Sequence, residues 1–176
     1  VHHRPGHSPS DTIFFDADNE TMLAADHLIA SVSSNPLIAR PLEAPLEQAE
    51  DAAQLARPKS LMIYLDSLAK TKEMGPIDLV LPGHGPGFTD HVGLIDERFR
   101  LHERRANKLY ELIAERPRSG YELAQALWGN VAVTQAYLTL SEALGHVDVL
   151  ISEGRVAEQF DADGIAYFEP INSPTS

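Results

Sequence analysis

Three short segments hold residue types from which metal chemistry is built. They are Pro5-Gly6-His7-Ser8, Ala24-Ala25-Asp26-His27 and Leu81-Pro82-Gly83-His84-Gly85. Histidine and aspartate are the ligands expected of a hydrolytic zinc site. Each candidate stands at the end of a strand-like run, in a sharply defined turn. The three do not complete a site alone, so the chain reads as the back half of an enzyme.

The elements that must position them are legible from pattern. Thr12–Phe15 is a continuously apolar run of β-branched and aromatic residues, which predicts a buried strand. Asp16–Glu20 is a polar turn, and Thr21–Ala25 is the return strand, with Asp26 at its exit. Residues 31–46, with Pro36, Pro41 and Pro45, predict a surface loop; residues 47–57 read as a helix or a flexible extension. Pro58 opens a helix whose apolar face is Leu61, Tyr64, Leu65 and Leu68. Ile77–Leu81 is a strand that delivers the glycine- and proline-rich turn carrying His84. A long helix follows over 91–116, with Ile95, Phe99, His102, Ala106, Leu109 and Ile113 on one stripe. Ser119 is placed to cap a second helix to Leu127, and Val133–Leu144 predicts a third, ending at Gly145. Val147–Ile151 and Val156–Phe160 flank Glu153-Gly154 and predict a hairpin.

Composition narrows the partners. The 176 residues carry 14 Lys and Arg against 26 Asp and Glu, a formal net charge of −12. That balance argues against nucleic acid or an anionic membrane as the main partner. No apolar run approaches the roughly 20 residues of a membrane span. The chain has no cysteine, so it has neither disulfides nor thiolate ligands, which fits a cytoplasmic location. It begins at Val1, at the edge of a motif, which reads as a fragment or a processed product.

The three motifs in this order, with these flanks, resemble the metallo-β-lactamase superfamily. Leu65-Asp66-Ser67-Leu68, the run from Asp78 to Gly85, and a long helix with His102 and Arg105 are similar to its glyoxalase-II-like and lactamase-beta-like branch. The resemblance implies an α/β (α+β) fold: the C-terminal half of an αββα sandwich over 1–102, then a winged-helix-like domain over 103–176. It implies two zinc ions in the complete protein. His7 would be a ligand of one, His84 of the other, and Asp26 would bridge them and serve as the catalytic carboxylate. Metal-bound hydroxide would then attack an acyl substrate, with a thioester the first choice. An endoribonuclease, or an inactive fragment acting as an interaction module, are the alternatives. Two departures stand out. The family's His-x-His-x-Asp-His motif is absent, and His2-His3 lacks its spacing. Where the family has glycine before the bridging aspartate, this chain has Ala25. The missing N-terminal half of the catalytic domain is therefore an expected partner. Without it the hairpin over 12–25 needs another cover, which predicts self-association.

His27 should point away from Asp26 along a strand and be structural. His102 lies on an apolar stripe, where histidine is most often a core residue; the alternative is that it lines a substrate channel. Arg104 and Arg105 read as a solvated face. The winged-helix outline invites a DNA-binding reading, yet the third helix has no Lys or Arg. Residues 103–176 hold six basic against eleven acidic side chains, the wrong sign for phosphate contact.

Overall fold

The computed structural model describes residues 1–39 and 57–171. Residues 40–46 of the proline-rich stretch over 31–46, and all but the last residue of the helix-or-extension reading of 47–57, lie outside them. The chain divides into two units, Val1–Arg98 and Phe99–Ser176, within one long helix.

The first unit is built on a four-stranded sheet of order β1-β2-β3-β4. Its strands are β1 (His2–His3), β2 (Thr12–Asp16), β3 (Thr21–Ala25) and β4 (Leu79–Pro82). The β2–β3 pair is an antiparallel hairpin with Phe14 opposite Leu23 and Phe15 opposite Met22. The Asp16 side chain holds its turn, accepting from the backbone N–H groups of Asp18 (3.1 Å) and Asn19 (3.2 Å). Strand β4 joins β3 in parallel, pairing Met22 with Val80 and Leu23 with Leu81.

Strand residues alternate between two faces, and both faces here are apolar. Ile13, Met22, Ala24 and Val80 are fully buried and share the core of this unit with Leu61, Tyr64 and Leu68 of helix α1 (Ser60–Lys72). Phe14, Leu23, Leu79 and Leu81 stand on the opposite face and are 37–51% exposed. A sheet apolar on both faces belongs between two layers.

The second unit holds the rest of helix α2 (His91–Glu115), then β5 (Arg118–Ser119), α3 (Gly120–Trp128), α4 (Val131–Thr134), α5 (Ala136–Ser152), β6 (Val156–Phe160) and β7 (Ala166–Pro170). Its sheet has the order β5-β7-β6. Ser119 caps α3 through a full capping box: its hydroxyl accepts from the Glu122 N–H, and the Glu122 carboxylate accepts from the Ser119 N–H at 2.8 Å. The core is Leu109, Ile113, Leu123, Val147, Leu150 and Phe168 with their neighbours.

One expected element is corrected. The third helix does not stop at Gly145, and Val147–Ile151 is not a strand. Helix α5 runs through both to Ser152. Ala143, Val147 and Leu150 fall at helical spacing and are all buried, so core packing outweighs both the β-branched run and the cost of a mid-helix glycine. The hairpin instead joins β6 to β7, pairing Val156 with Pro170 and Phe160 with Ala166. Its turn is held by the Asp161 carboxylate, which accepts from the Ile165 N–H at 2.8 Å.

Candidate metal centre

Three loops of the first unit bring His7, Asp26 and His84 together. Asp26 presents one carboxylate oxygen to each histidine. Its Oδ2 lies 3.7 Å from His7 Nε2, and its Oδ1 lies 3.6 Å from His84 Nε2. The group faces solvent: His7 is 31% exposed, Asp26 33% and His84 76%.

Each loop is held by groups outside the cluster. His7 Nδ1 lies 3.0 Å from the Asn35 carbonyl, which can only accept. The ring proton is therefore on Nδ1, and Nε2 turns its lone pair toward Asp26. That is the usual arrangement of a metal-ligating imidazole. Gly6 lets the His7 loop lie on α1, since a Cβ there would fall 2.5 Å from Tyr64 Cβ. The Ser67 hydroxyl donates to the Pro5 carbonyl at 2.7 Å. Ser34 Oγ donates to the Asp26 carbonyl and fixes the backbone at that turn. Gly83 brings the His84 loop in: its N–H donates to the Ala25 carbonyl at 2.7 Å, and a Cβ there would sit 2.5 Å from Asp26 Oδ1. Ala25 adopts φ +45°, a left-handed conformation that costs a non-glycine residue about 1–2 kcal/mol.

His27, next to Asp26, points into the core and is fully buried. Thr71 Oγ1 donates to the Ser67 carbonyl and accepts from Arg4 Nε, so the 2.9 Å contact with His27 Nε2 must be donated by the imidazole. Burial, helped by the Arg4 charge, lowers the His27 pKa to about 4. Its backbone carbonyl accepts from the Tyr64 hydroxyl at 2.9 Å. Tyr64, Ser67 and Thr71 thus form a polar stripe on the buried side of α1 that carries two of the three loops. Only the apolar members of that face stood out from spacing.

His102 meets other partners. It is 3% exposed, and its Nδ1 lies 3.1 Å from His146 Nε2 within the second unit. Arg105 is not a solvated side chain; it forms an ion pair with the buried Glu142. Neither Glu142 nor His146 was singled out from sequence, because nothing along the chain links residues 37 and 44 positions apart.

Comparison with known proteins places this arrangement. The fold is that of the metallo-β-lactamase proteins. The chain superposes on the metallo-beta-lactamase family protein TTHA1429 of Thermus thermophilus with a TM-score of 0.75 at 23% identity, covering 96% of this chain and 48% of that one. A beta-lactamase domain protein from Burkholderia ambifaria gives 0.77 at 24% identity, over 95% of this chain and 46% of that one. By sequence the chain is 33% identical over 167 residues to the Bacillus subtilis (strain 168) protein named "Probable metallo-hydrolase YqjP", covering 95% of this chain and 49% of YqjP. No family model matches the chain. The chain thus has the fold of metallo-β-lactamase family proteins and is similar in sequence to a probable metallo-hydrolase. It spans about half the length of the relatives it matches. Among the described residues no helix is long and apolar enough to cross a membrane.

The residues fit a bound metal of the kind that proteins of this fold imply. Two imidazoles offer Nε2 lone pairs, and one carboxylate turns a separate oxygen to each. Imidazole nitrogen and carboxylate oxygen are donors that can coordinate a metal ion.

Proposed function

We propose that this chain supplies part of a dinuclear zinc site in a hydrolase acting on acyl substrates, with thioesters as the leading class. The observation that carries the reading is the placement of Asp26, one oxygen toward each of two histidines. His7 would hold one ion, His84 the other, and Asp26 both. When bound there, zinc supplies Lewis-acid activation of water and of a carbonyl near neutral pH. The chain's own groups do the positioning. The Asn35 carbonyl keeps the His7 proton on Nδ1, Ser34 locks the Asp26 turn, and Gly83 admits the His84 loop against the carboxylate.

Gly6 also borders a cavity of about 570 Å³ lined by Pro5, Pro9, Leu37 and Ile63. None of His7, Asp26 and His84 lines that recess, so the preference for a thioester over RNA rests on the family resemblance.

Three ligands are too few for two ions, since a catalytic zinc usually has three of its own. We infer that a preceding segment, matching the other half of the relatives' length, brings His-x-His-x-Asp-His and covers Phe14, Leu23, Leu79 and Leu81. The second unit we read as a winged-helix-like module that does not bind duplex DNA. A gel shift at low salt, where electrostatic binding is strongest, tests this; robust binding there refutes it.

The main test uses the complete protein loaded with zinc and a panel of acyl thioesters. Asp26→Asn should remove most turnover and lower the zinc content, while the fold is retained. Full turnover in that variant would end the bridging assignment. The isolated chain should be inactive and should self-associate through its exposed sheet face, seen as light scattering that rises with concentration. A monomer at every concentration would count against the missing-cover account.

A further inference from the structure

A second cluster with the same kinds of donor lies inside the second unit, and the reaction has no use for it. Helix α2 contributes His102 and Arg105, three residues apart and so on one face. Helix α5 contributes Glu142 and His146, four apart and likewise on one face. Ligand atoms of His102, Glu142 and His146 all lie within 4.8 Å of one another. All three residues are buried: 3%, 8% and 1% exposed.

The proton arrangement prepares two of these atoms for a cation. His146 Nδ1 lies 2.7 Å from the Glu142 carbonyl one turn back, so its proton goes there and Nε2 keeps a lone pair. The 3.1 Å contact from His146 Nε2 to His102 Nδ1 must then contain either the His102 proton or a cation. Two imidazole nitrogens at about 2.0–2.1 Å from one tetrahedral zinc stand about 3.3 Å apart, close to the spacing here. The third donor is the Glu142 carboxylate, now paired with Arg105. The Arg105 side chain is 32% exposed and has a path to solvent.

We propose that His102, Glu142 and His146 form a structural site for a divalent first-row cation, zinc first. The ion pins α2 to α5. On binding, the His102 proton moves from Nδ1 to Nε2 by exchange with solvent, so no proton is released. Glu142 gives up Arg105, which turns outward, and gains the metal. Two imidazoles and one carboxylate suit zinc, cobalt and nickel better than magnesium or calcium. Burial on rigid helices suits a structural ion, whereas the His7, Asp26 and His84 group is open to solvent.

Cobalt titration of the 176-residue chain carrying His7→Ala, Asp26→Ala and His84→Ala tests the proposal without using activity. One Co²⁺ per chain is expected, with visible absorption characteristic of imidazole ligation and lost on adding zinc. Adding Glu142→Gln or His146→Gln should each weaken binding by roughly tenfold or more, with circular dichroism checking the fold. Arg105→Met keeps all three donors and removes a competing charge, so it should tighten binding by about threefold or more. A triple variant that takes up no Co²⁺ overturns the site and leaves a histidine–histidine hydrogen bond beside an ion pair. A folded His146→Gln variant that binds as well as its parent does the same, as does an Arg105→Met variant that binds no tighter.

Discussion

The two units each gather two histidines and one carboxylate, and they treat them in opposite ways. In the first, the donors sit on three loops and the carboxylate stands between the rings, 31–76% exposed. In the second, they sit on two helices, are nearly sealed, and an arginine already occupies the carboxylate. Residue type alone does not separate a reactive centre from a structural one. The supporting elements differ: loops, two of them anchored on α1, hold their side chains at the surface, while packed helices seal theirs in.

The largest effect that would sharpen this contrast is on activity. In the complete protein, Asp26→Ala should lower kcat/KM by about 1,000-fold or more, comparable to losing other central electrostatic groups. The melting temperature of the metal-free protein should barely move, because a part-exposed carboxylate contributes little to packing. A large stability loss with activity retained would reverse the roles of the two clusters.

The second unit should answer the other way. Arg105→Ala leaves Glu142 buried without its cation, and breaking such a pair costs about 3–5 kcal/mol. Since Arg105 is part-exposed, about 3 kcal/mol is the expected loss in urea unfolding of the metal-free chain. Glu142 already has its pKa raised by burial despite Arg105, so the variant should bind a proton more readily still. A loss recovered at acidic pH would show that protonation relieves the orphaned charge; a pH-independent loss would mean that packing dominates.

How much of this contrast was legible beforehand depended on range. The β2–β3 hairpin, the capped start of α3 and the three turns that carry His7, Asp26 and His84 could be read from neighbouring residues. The His102 stripe position was visible too, but not its meaning, which lies 44 residues away in His146. The Val147–Ile151 run was misread because β-branched residues suit a strand locally and a buried helix face globally. Ser67 and Thr71 were invisible as site supports, since a small polar residue on a helix discloses its partner only when the loops dock.

Acid should probe both interiors at once. His27 and His146 have folded pKa values lowered to about 4, against 6.5 for free histidine. The unfolded chain therefore binds more protons between these limits. The stability each neutral ring contributes is present above pH 6.5 and is lost as the pH falls toward 4. At about pH 5 the loss is about 2 kcal/mol per ring. In the second unit Glu142 opposes it, because its raised pKa lets the folded state take up a proton early. Urea midpoints of the metal-free chain at about pH 7.5 and about pH 5 should therefore lie closer together in His27→Gln and in His146→Gln than in the wild-type chain. Equal slopes in the wild-type chain and both variants would mean that neither ring is neutral in the core.

The smallest expected effect lies at Ala25, where the first site departs from the family it resembles. Its φ of +45° puts the methyl against the carbonyl that follows, at a cost of about 1–2 kcal/mol. Glycine would remove that strain but would lose more backbone entropy on folding, by about 0.4–1 kcal/mol. Ala25 is exposed, so removing the methyl opens no cavity. Ala25→Gly should therefore stabilise the chain by about 0.5–1 kcal/mol, read as a higher urea midpoint with unchanged slope. The Gly83 N–H bond to the Ala25 carbonyl involves backbone alone, so the approach of the His84 loop to Asp26 should survive. A destabilised variant would mean that Ala25 sits comfortably where it is, and that the turn carrying Asp26 holds no strain in reserve.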